Sequence, residues 1–333
     1  MTMSKTVFVI GSNSFSGASF VRYLLSLELN VIGISRSPEY QSVFLPYKFN
    51  QPDKGGFEFH QLDLNHHLKE IDSLLDQHKP ALIFNFAAQS MVAQSWEHPE
   101  DWYQTNVLSL VRFIDVVRHK DYLDKYIHIS TPEVYGSLSG YVQENRNYQP
   151  STPYAISRAA ADMHLHAYFQ AYNFPVVMTR AANVYGPGQQ LYRIIPKTIL
   201  SILSGQKLPL HGGGYSERSF IHIDDVSSAT WQIARQSEAG EIFHIATEST
   251  VSIRELVQLL CERLGVEFAD TVNETEDRVG KDAAYLLSSQ KLRQEFAWQD
   301  QISLDHGLSQ VIDWIKDNLA QLQDLPWVYQ HKP

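Results

Sequence analysis

Runs of consecutive apolar residues alternate with stretches of helical spacing along most of this chain. Thr6-Val7-Phe8-Val9-Ile10 shows no polar alternation, as expected of a strand buried on both faces of a parallel sheet. Phe20, Val21, Leu24 and Leu25 then recur at the three-and-four spacing of a buried helical face. The same reading predicts strands at 6–10, 31–35, 57–62, 81–86, 125–130, 175–179 and 242–246. It predicts helices at 16–29, 66–77, 99–119, 153–173, 224–236, 252–264 and 303–320. Such alternation implies an α/β fold, a doubly wound parallel sheet with right-handed crossovers. Residues 37–56, with Pro38, Pro46, Pro52, Gly55 and Gly56, are expected to form a long surface insertion, and residues 326–333 a surface extension.

The connection after the first strand carries chemistry. Gly11-Ser12-Asn13-Ser14-Phe15-Ser16-Gly17 lies between strand and helix, where small residues let backbone N–H groups approach a pyrophosphate at a helix N-terminus. The second strand ends in Ser35-Arg36, with no Asp or Glu for a ribose 2′-hydroxyl. Arginine there suits a 2′-phosphate, so NADP is the expected cofactor and NAD the alternative. This half, 1–182, is expected to be a dinucleotide-binding Rossmann domain.

Two later connections converge on the same end of the predicted sheet. Thr131-Pro132-Glu133 and Tyr154-Ala155-Ile156-Ser157-Arg158 supply a hydroxyl, a carboxylate, a phenol and a fixed cation. A phenol with a pKa near ~10 is a poor base at neutral pH. A guanidinium at i+4 on the same helical face favours the phenolate. Thr131 can bond a substrate hydroxyl undergoing oxidation, and Glu133 can remove a proton from carbon. That set suits alcohol oxidation followed by chemistry at a neighbouring carbon.

Together these residues resemble the extended short-chain dehydrogenase/reductases, and within them the nucleotide-sugar 4,6-dehydratases and epimerases. Gly11-x-x-Ser14-x-x-Gly17 is similar to the family's Gly-x-x-Gly-x-x-Gly, and Ile129 to Gly136 resembles its Ser-Thr-Asp-Glu-Val-Tyr-Gly signature. The resemblance puts Asp63 and Leu64 beside adenine, Ala87, Ala88 and Gln89 beside the nicotinamide ribose, and Asn106 in a matching Thr-Asn-Val. It also gives cofactor-binding roles to Gly11, Asn13, Ser14, Phe15, Ser16, Gly17, Arg36, Tyr154 and Arg158. Thr131, Glu133, Tyr154 and Arg158 become the catalytic set. Ser90, Asn183, Arg193, Lys197, Arg218 and Arg278 become candidates for binding a nucleotide-diphosphate sugar, arginine forks suiting phosphate oxygens. Residues 183–333 are then mainly a smaller C-terminal substrate-binding domain, with 220–247 returning to the first.

Three departures bear on mechanism. Arg158 replaces the family lysine, Pro132 replaces an aspartate that would protonate the departing hydroxyl, and Ser14 replaces a glycine. Arginine keeps its charge but does not shuttle a proton, which leaves it tuning Tyr154 and holding ribose. Glu133 separates the dehydratase reading from the epimerase one, since the epimerases usually carry small residues there. The expected reaction is 4,6-dehydration of a nucleotide hexose through transient C4 oxidation. A 4-epimerase or C4 dehydrogenase remains the alternative, and a non-catalytic nucleotide-binding regulator a third reading. Lys281 stands where the dTDP-glucose enzymes carry histidine, which leaves the base open.

Composition narrows the setting. At 333 residues and 44% hydrophobic, the chain can bury a full core, and a net charge of −10 argues against nucleic acid. No apolar run reaches membrane length, and Met1-Thr2-Met3-Ser4-Lys5 is too short and polar for a signal peptide. The single cysteine, Cys261, fits a reducing, cytoplasmic setting and reads as a buried thiol. The 14 histidines show no metal-ligand spacing, so no metal is expected. Helices 99–119 and 153–173 carry more apolar surface than one stripe needs (Trp102, Tyr103, Val107, Leu110, Phe113; Met163, Leu165, Tyr168, Phe169), which predicts a homodimer through both.

Overall fold

The computed structural model describes residues 6–49, 55–137, 140–276 and 284–332. A seven-stranded sheet is built from β1 (Thr6–Ile10), β2 (Asn30–Ser35), β3 (Phe57–Gln61), β4 (Leu82–Asn85), β5 (Lys125–Ile129), β6 (Val176–Ala181) and β7 (Ile242–Ile245). Its order is β3-β2-β1-β4-β5-β6-β7 and each pairing is parallel. The order reverses between β1 and β4, and in open α/β sheets ligands bind outside the strand ends at such a point. The pleat explains the unbroken apolar run of β1. Phe8 and Ile10 pack with Phe113, Ile114 and Leu165 on one face, while Val7 and Val9 pack with Val21, Leu24 and Phe84 on the other.

The helices that position the cleft are α1 (Phe15–Ser26), α2 (Leu68–His78), a helical run α3 over residues 99–117, and α4 (Pro153–Tyr172). Beyond them lie α5 (Ile194–Leu203), α6 (Ile223–Gln236), α7 (Ile253–Leu264) and α8 (Leu304–Asp317). Local sequence sets many ends. The Thr152 hydroxyl caps α4 by accepting from Ala155 N at 3.1 Å, Pro153 takes the first helical position, and Asn173 ends the helix at a φ of 53°. Ser252 and Glu255 form a capping box on α7. Cys261 is buried in that helix. No helix among the described residues is long and apolar enough to cross a membrane.

Three expectations need correction. Of the expected surface insertion over 37–56, residues 37–49 are docked: Leu45 and Tyr47 join the core around α1, and the Val43 carbonyl accepts from the Trp314 indole at 3.2 Å. Their apolar side chains between prolines have enough area to hold them down. The 99–119 helix is interrupted by a π-helical stretch, Gln104–Ser109, between α-helical pieces. Trp102, Leu110, Phe113 and Leu165, counted above as surplus for a dimer, belong to the chain's own interior. The third correction concerns residues 326–332, which fold back over the carboxyl ends of the strands instead of extending into solvent. His331 stacks on Trp102 and His98, at ring separations of 5.1 and 5.0 Å, and bonds Asp101 at 2.7 Å.

Candidate active site

At the end of β1 the chain turns so tightly that side chains have no room. A Cβ on Gly11, whose φ is +82°, would lie 2.6 Å from Ala87 N, and one on Gly17 would lie 2.1 Å from the Gly11 carbonyl. Ser14 completes the turn as the α1 N-cap: its hydroxyl accepts from Gly17 N at 3.0 Å and donates to the Gly11 carbonyl at 2.7 Å. The positive end of α1 thus opens onto the crevice with the Phe15 and Ser16 N–H groups in its first turn. Phe15 sends its ring into the core beside Val134 and Tyr135, so only its backbone is placed for a ligand. The Asn13 amide donates to the Ser37 and Pro38 carbonyls, pinning the loop after β2, while its Oδ1 is buried with no hydrogen-bond partner. A tight cradle, a helix start and an orphaned acceptor fit a dinucleotide.

Around this turn stand the other cofactor candidates. Asn106, on the π-helical stretch, is buried and clamps Gln89 through both backbone groups, accepting from its N–H at 2.8 Å and donating to its carbonyl at 3.0 Å. It also donates to the Ser157 hydroxyl at 2.9 Å, tying the β4 loop to α4. π-bulges often sit at functional sites, and here the widened turn carries the residue that fixes the loop. Asp63 accepts from Asn65 N at 2.8 Å in a local turn after β3, beside the buried Leu64. Arg36 and Gln89 both donate to the Lys332 carbonyl, at 2.9 and 2.8 Å. Ala87 and Ala88 are half-buried between Gly11 and Gln89.

Thr131 caps a 3-10 turn, Pro132–Tyr135, accepting from Glu133 N at 3.3 Å. Pro132 takes the turn's first position, where a fixed φ is favourable and no N–H is needed. Tyr154, in the first turn of α4, is nearly buried. Burial raises its phenol above the usual value and the Glu133 charge raises it further; Arg158, a hydrogen bond from Thr131 and Arg193 pull it back. The net direction is upward, so Arg158 does not bring the phenol below its ordinary range. Four expected residues, Thr131, Glu133, Tyr154 and Arg193, therefore act on one another.

Arg158 is placed differently from expectation. It is buried, and its guanidinium turns toward β5, bonding the Ile129 carbonyl and His128 Nε2, the latter at 3.1 Å. Below it Asp162 accepts from Arg180 and Ser130, both at 2.7 Å. Arg180 also donates to Tyr135, whose phenol bonds His244 at 2.8 Å. Burial drives His128 well below its ordinary value, with Arg158 and Arg180 adding to that direction, and it takes His244 down to about 3. Both imidazoles are therefore neutral. Glu144 accepts from His244 N at 2.8 Å at the far side of this block, and of its charges Arg158 is the one that acts on Tyr154.

Of the residues expected to bind substrate, Ser90 and Asn183 are exposed, Arg193 stands just before α5 without a capping side-chain bond, Lys197 lies one turn on, and Arg218 donates to the Glu217 carbonyl at 2.7 Å. Arg278 and Lys281 lie outside the described residues.

The sequence profile of GDP-mannose 4,6 dehydratase matches residues 8–311. The chain belongs to this family. A dTDP-glucose 4,6-dehydratase of Streptomyces antibioticus is 30% identical, covering 96% of this chain and 95% of that one. A probable dTDP-glucose 4,6-dehydratase of Sinorhizobium fredii is 29% identical over 94% and 93% of the two chains. Among solved structures, the dTDP-glucose 4,6-dehydratase DesIV of Streptomyces venezuelae, crystallised with NAD, superposes with a TM-score of 0.87 at 29% identity, covering 95% and 98%.

In this family member several site residues carry no signal in local spacing. His128 and Arg180 sit on two different strands, and only packing brings the first to Arg158 and the second to Asp162. Asp162 follows Arg158 by four residues on α4, a pairing legible in the sequence. The aromatic and cationic residues of 327–332 are visible too, but nothing local assigns them to the cleft.

Proposed function

We propose that this chain is a nucleoside-diphosphate hexose 4,6-dehydratase that forms a 4-keto-6-deoxy sugar with no net change in cofactor oxidation state. One observation carries the reading: Glu133 is presented by the Pro132 turn close enough to Tyr154 for its charge to raise the phenol. A carboxylate beside the hydroxyl-activating pair is what elimination needs and simple oxidation or epimerisation does not. When bound, NAD(P) supplies the acceptor and then the donor of one hydride, and the residues of this chain handle the protons. Tyr154 takes the 4-hydroxyl proton while Thr131 holds that oxygen. Once C4 is a ketone the C5 proton is acidic; Glu133 removes it and delivers it to the C6 hydroxyl, which leaves as water, and the proton that Tyr154 took from the 4-hydroxyl balances the one that C5 regains. Arg158 and Arg193 supply fixed positive charge that favours the phenolate as the proton moves.

The cofactor is NAD or NADP, and Arg36 after β2 supports the phosphorylated form. Tyr103, Leu108, Ile156 and Met163 remain exposed on α3 and α4 and support a homodimer through this pair. A monomer by light scattering at micromolar concentration would contradict that. The lone buried Cys261 supports a reducing, cytoplasmic setting. Incubation with GDP-, UDP-, CDP- and dTDP-hexoses, read by mass spectrometry, tests the reaction. Loss of one water from at least one of them is the expected outcome. A product of unchanged mass, or an oxidised sugar with free reduced cofactor, would replace it with the epimerase or dehydrogenase reading.

A further inference from the structure

The segment 327–332 crosses the mouth of the cleft on anchors from several elements. Trp327 packs into the core around α5 and α8. Tyr329 meets the Tyr192 ring edge-on at 5.5 Å. Burial raises the Tyr329 phenol, and the guanidiniums of Arg36 and Arg193 pull it back, which places that ring near residues of both the cofactor and the substrate side. His331 is stacked on His98 and Trp102 and bonded to Asp101 at the start of α3. The Lys332 carbonyl joins Arg36, after β2, to Gln89, after β4. β1 and its glycine turn lie between those strands.

We infer that residues 327–332 form an outer wall of the dinucleotide site, closing over the bound cofactor and slowing its release. The inference rests on the proposed dinucleotide-binding role. A cofactor running from Arg36 to Gln89 across the end of β1 passes under Lys332. The segment bonds Arg36 and Gln89 through the Lys332 carbonyl, bonds Asp101 through His331 and meets the Tyr192 ring through Tyr329, so its partners stand on both sides of the glycine turn. A reaction that returns its hydride each turnover gains from a cofactor that stays, and a cover across the mouth slows its exchange.

The test compares the full chain with a deletion of residues 326–332 and with His331→Ala, which keeps the segment but removes its stacked anchor. Each protein is saturated with NADH or NADPH, and dissociation is followed by loss of cofactor fluorescence on mixing with excess oxidised cofactor. Circular dichroism checks that each variant is folded. Release ~10-fold or more faster in the deletion, and several-fold faster in His331→Ala, is the expected result. If the deletion does not fold, His331→Ala decides alone. Release within twofold of the full chain in the folded variants would overturn the inference. So would slower release or tighter binding, because the segment would then compete with the cofactor. A full chain that binds neither NADH nor NADPH would instead overturn the underlying dinucleotide reading.

Discussion

Between Gly11 and Gly17 the side-chain hydrogen bonds of Asn13 and Ser14 stay within the turn or on the adjoining β2 loop, with Asn13 Oδ1 left over, whereas at Thr131 and Tyr154 the groups that set proton affinity arrive from separate elements. Ser14 bonds Gly11 and Gly17, and Asn13 bonds Ser37 and Pro38. Tyr154 instead responds to Glu133 on the 3-10 turn, Arg193 at α5 and Arg158, which is itself held by β5. A self-contained turn tolerates change elsewhere in the chain. A phenol balanced among distant charges does not, and the difference can be measured from either side.

Glu133→Gln should give the largest effect. Loss of a positioned base costs ~10²–10⁴ in rate, so the dehydrated product should nearly vanish while reduced cofactor accumulates on the enzyme. The same substitution has a pH signature. Glu133 raises the Tyr154 phenol, so removing its charge makes the phenolate easier to form. The alkaline rise in C4 oxidation, followed by cofactor absorbance, should move to lower pH in Glu133→Gln. Thr131→Val, which removes a bond that lowers the phenol, should move it to higher pH. A Glu133→Gln variant that still eliminates water at near the wild-type rate would sink the mechanism.

Next in size is the block beneath Tyr154. Arg180→Met leaves the fully buried Asp162 without its ion-pair partner, and breaking a buried pair from one side costs ~3–5 kcal/mol. Denaturant unfolding should show that loss. A cost under ~1 kcal/mol would mean that water or a shifted Arg158 takes over the carboxylate. Arg180 variants that fold should keep the wild-type alkaline limb, because Glu133, Arg158, Thr131 and Arg193 are the groups that act on the phenol.

The two regions were unequally legible from sequence. Strand patterns located all seven strands of the sheet within a residue or two, because inner strands such as β1 leave apolar runs where both faces are buried, while the edge strand β3 alternates Phe57, Glu58 and Phe59. The glycine turn was legible because its constraints are local. Thr131, Glu133 and Tyr154 could be named, but the net direction of the Tyr154 shift could not: it depends on burial, which outweighs the guanidinium four residues away. Residues 37–49 and 326–332 differ from expectation for one reason. Proline and polar residues mark them as loops, and what docks them is contact with residues far along the chain, such as Trp314 on Val43 and Trp102 on His331.

Arg36→Ala carries a smaller effect and probes the border between cofactor turn and covering segment. If Arg36 reads a 2′-phosphate, NADP affinity should fall by ~1–3 kcal/mol, as for a charged hydrogen bond, with NAD nearly unchanged. Titration by fluorescence quenching measures both. Equal loss for the two cofactors would assign Arg36 to holding the Lys332 carbonyl instead.

The smallest effect is expected at Ser14, and it tests whether the turn is as self-contained as its bonds suggest. Ser14→Ala removes the α1 N-cap, which costs ~1 kcal/mol, while Ser14→Gly costs only a few tenths, because a glycine N-cap leaves its backbone groups to water. Both hydrogen bonds of the hydroxyl are internal to the turn, to Gly11 and Gly17, so the loss should appear in unfolding and not in catalysis. Denaturant midpoints should rank wild type, then Gly, then Ala, with the rate at saturating cofactor and substrate unchanged. Cofactor affinity should fall in Ser14→Ala by no more than the change in stability. A larger fall would show that the hydroxyl leaves Gly11 to bond the dinucleotide, and the turn would then be no more independent of its ligand than Tyr154 is of its neighbours.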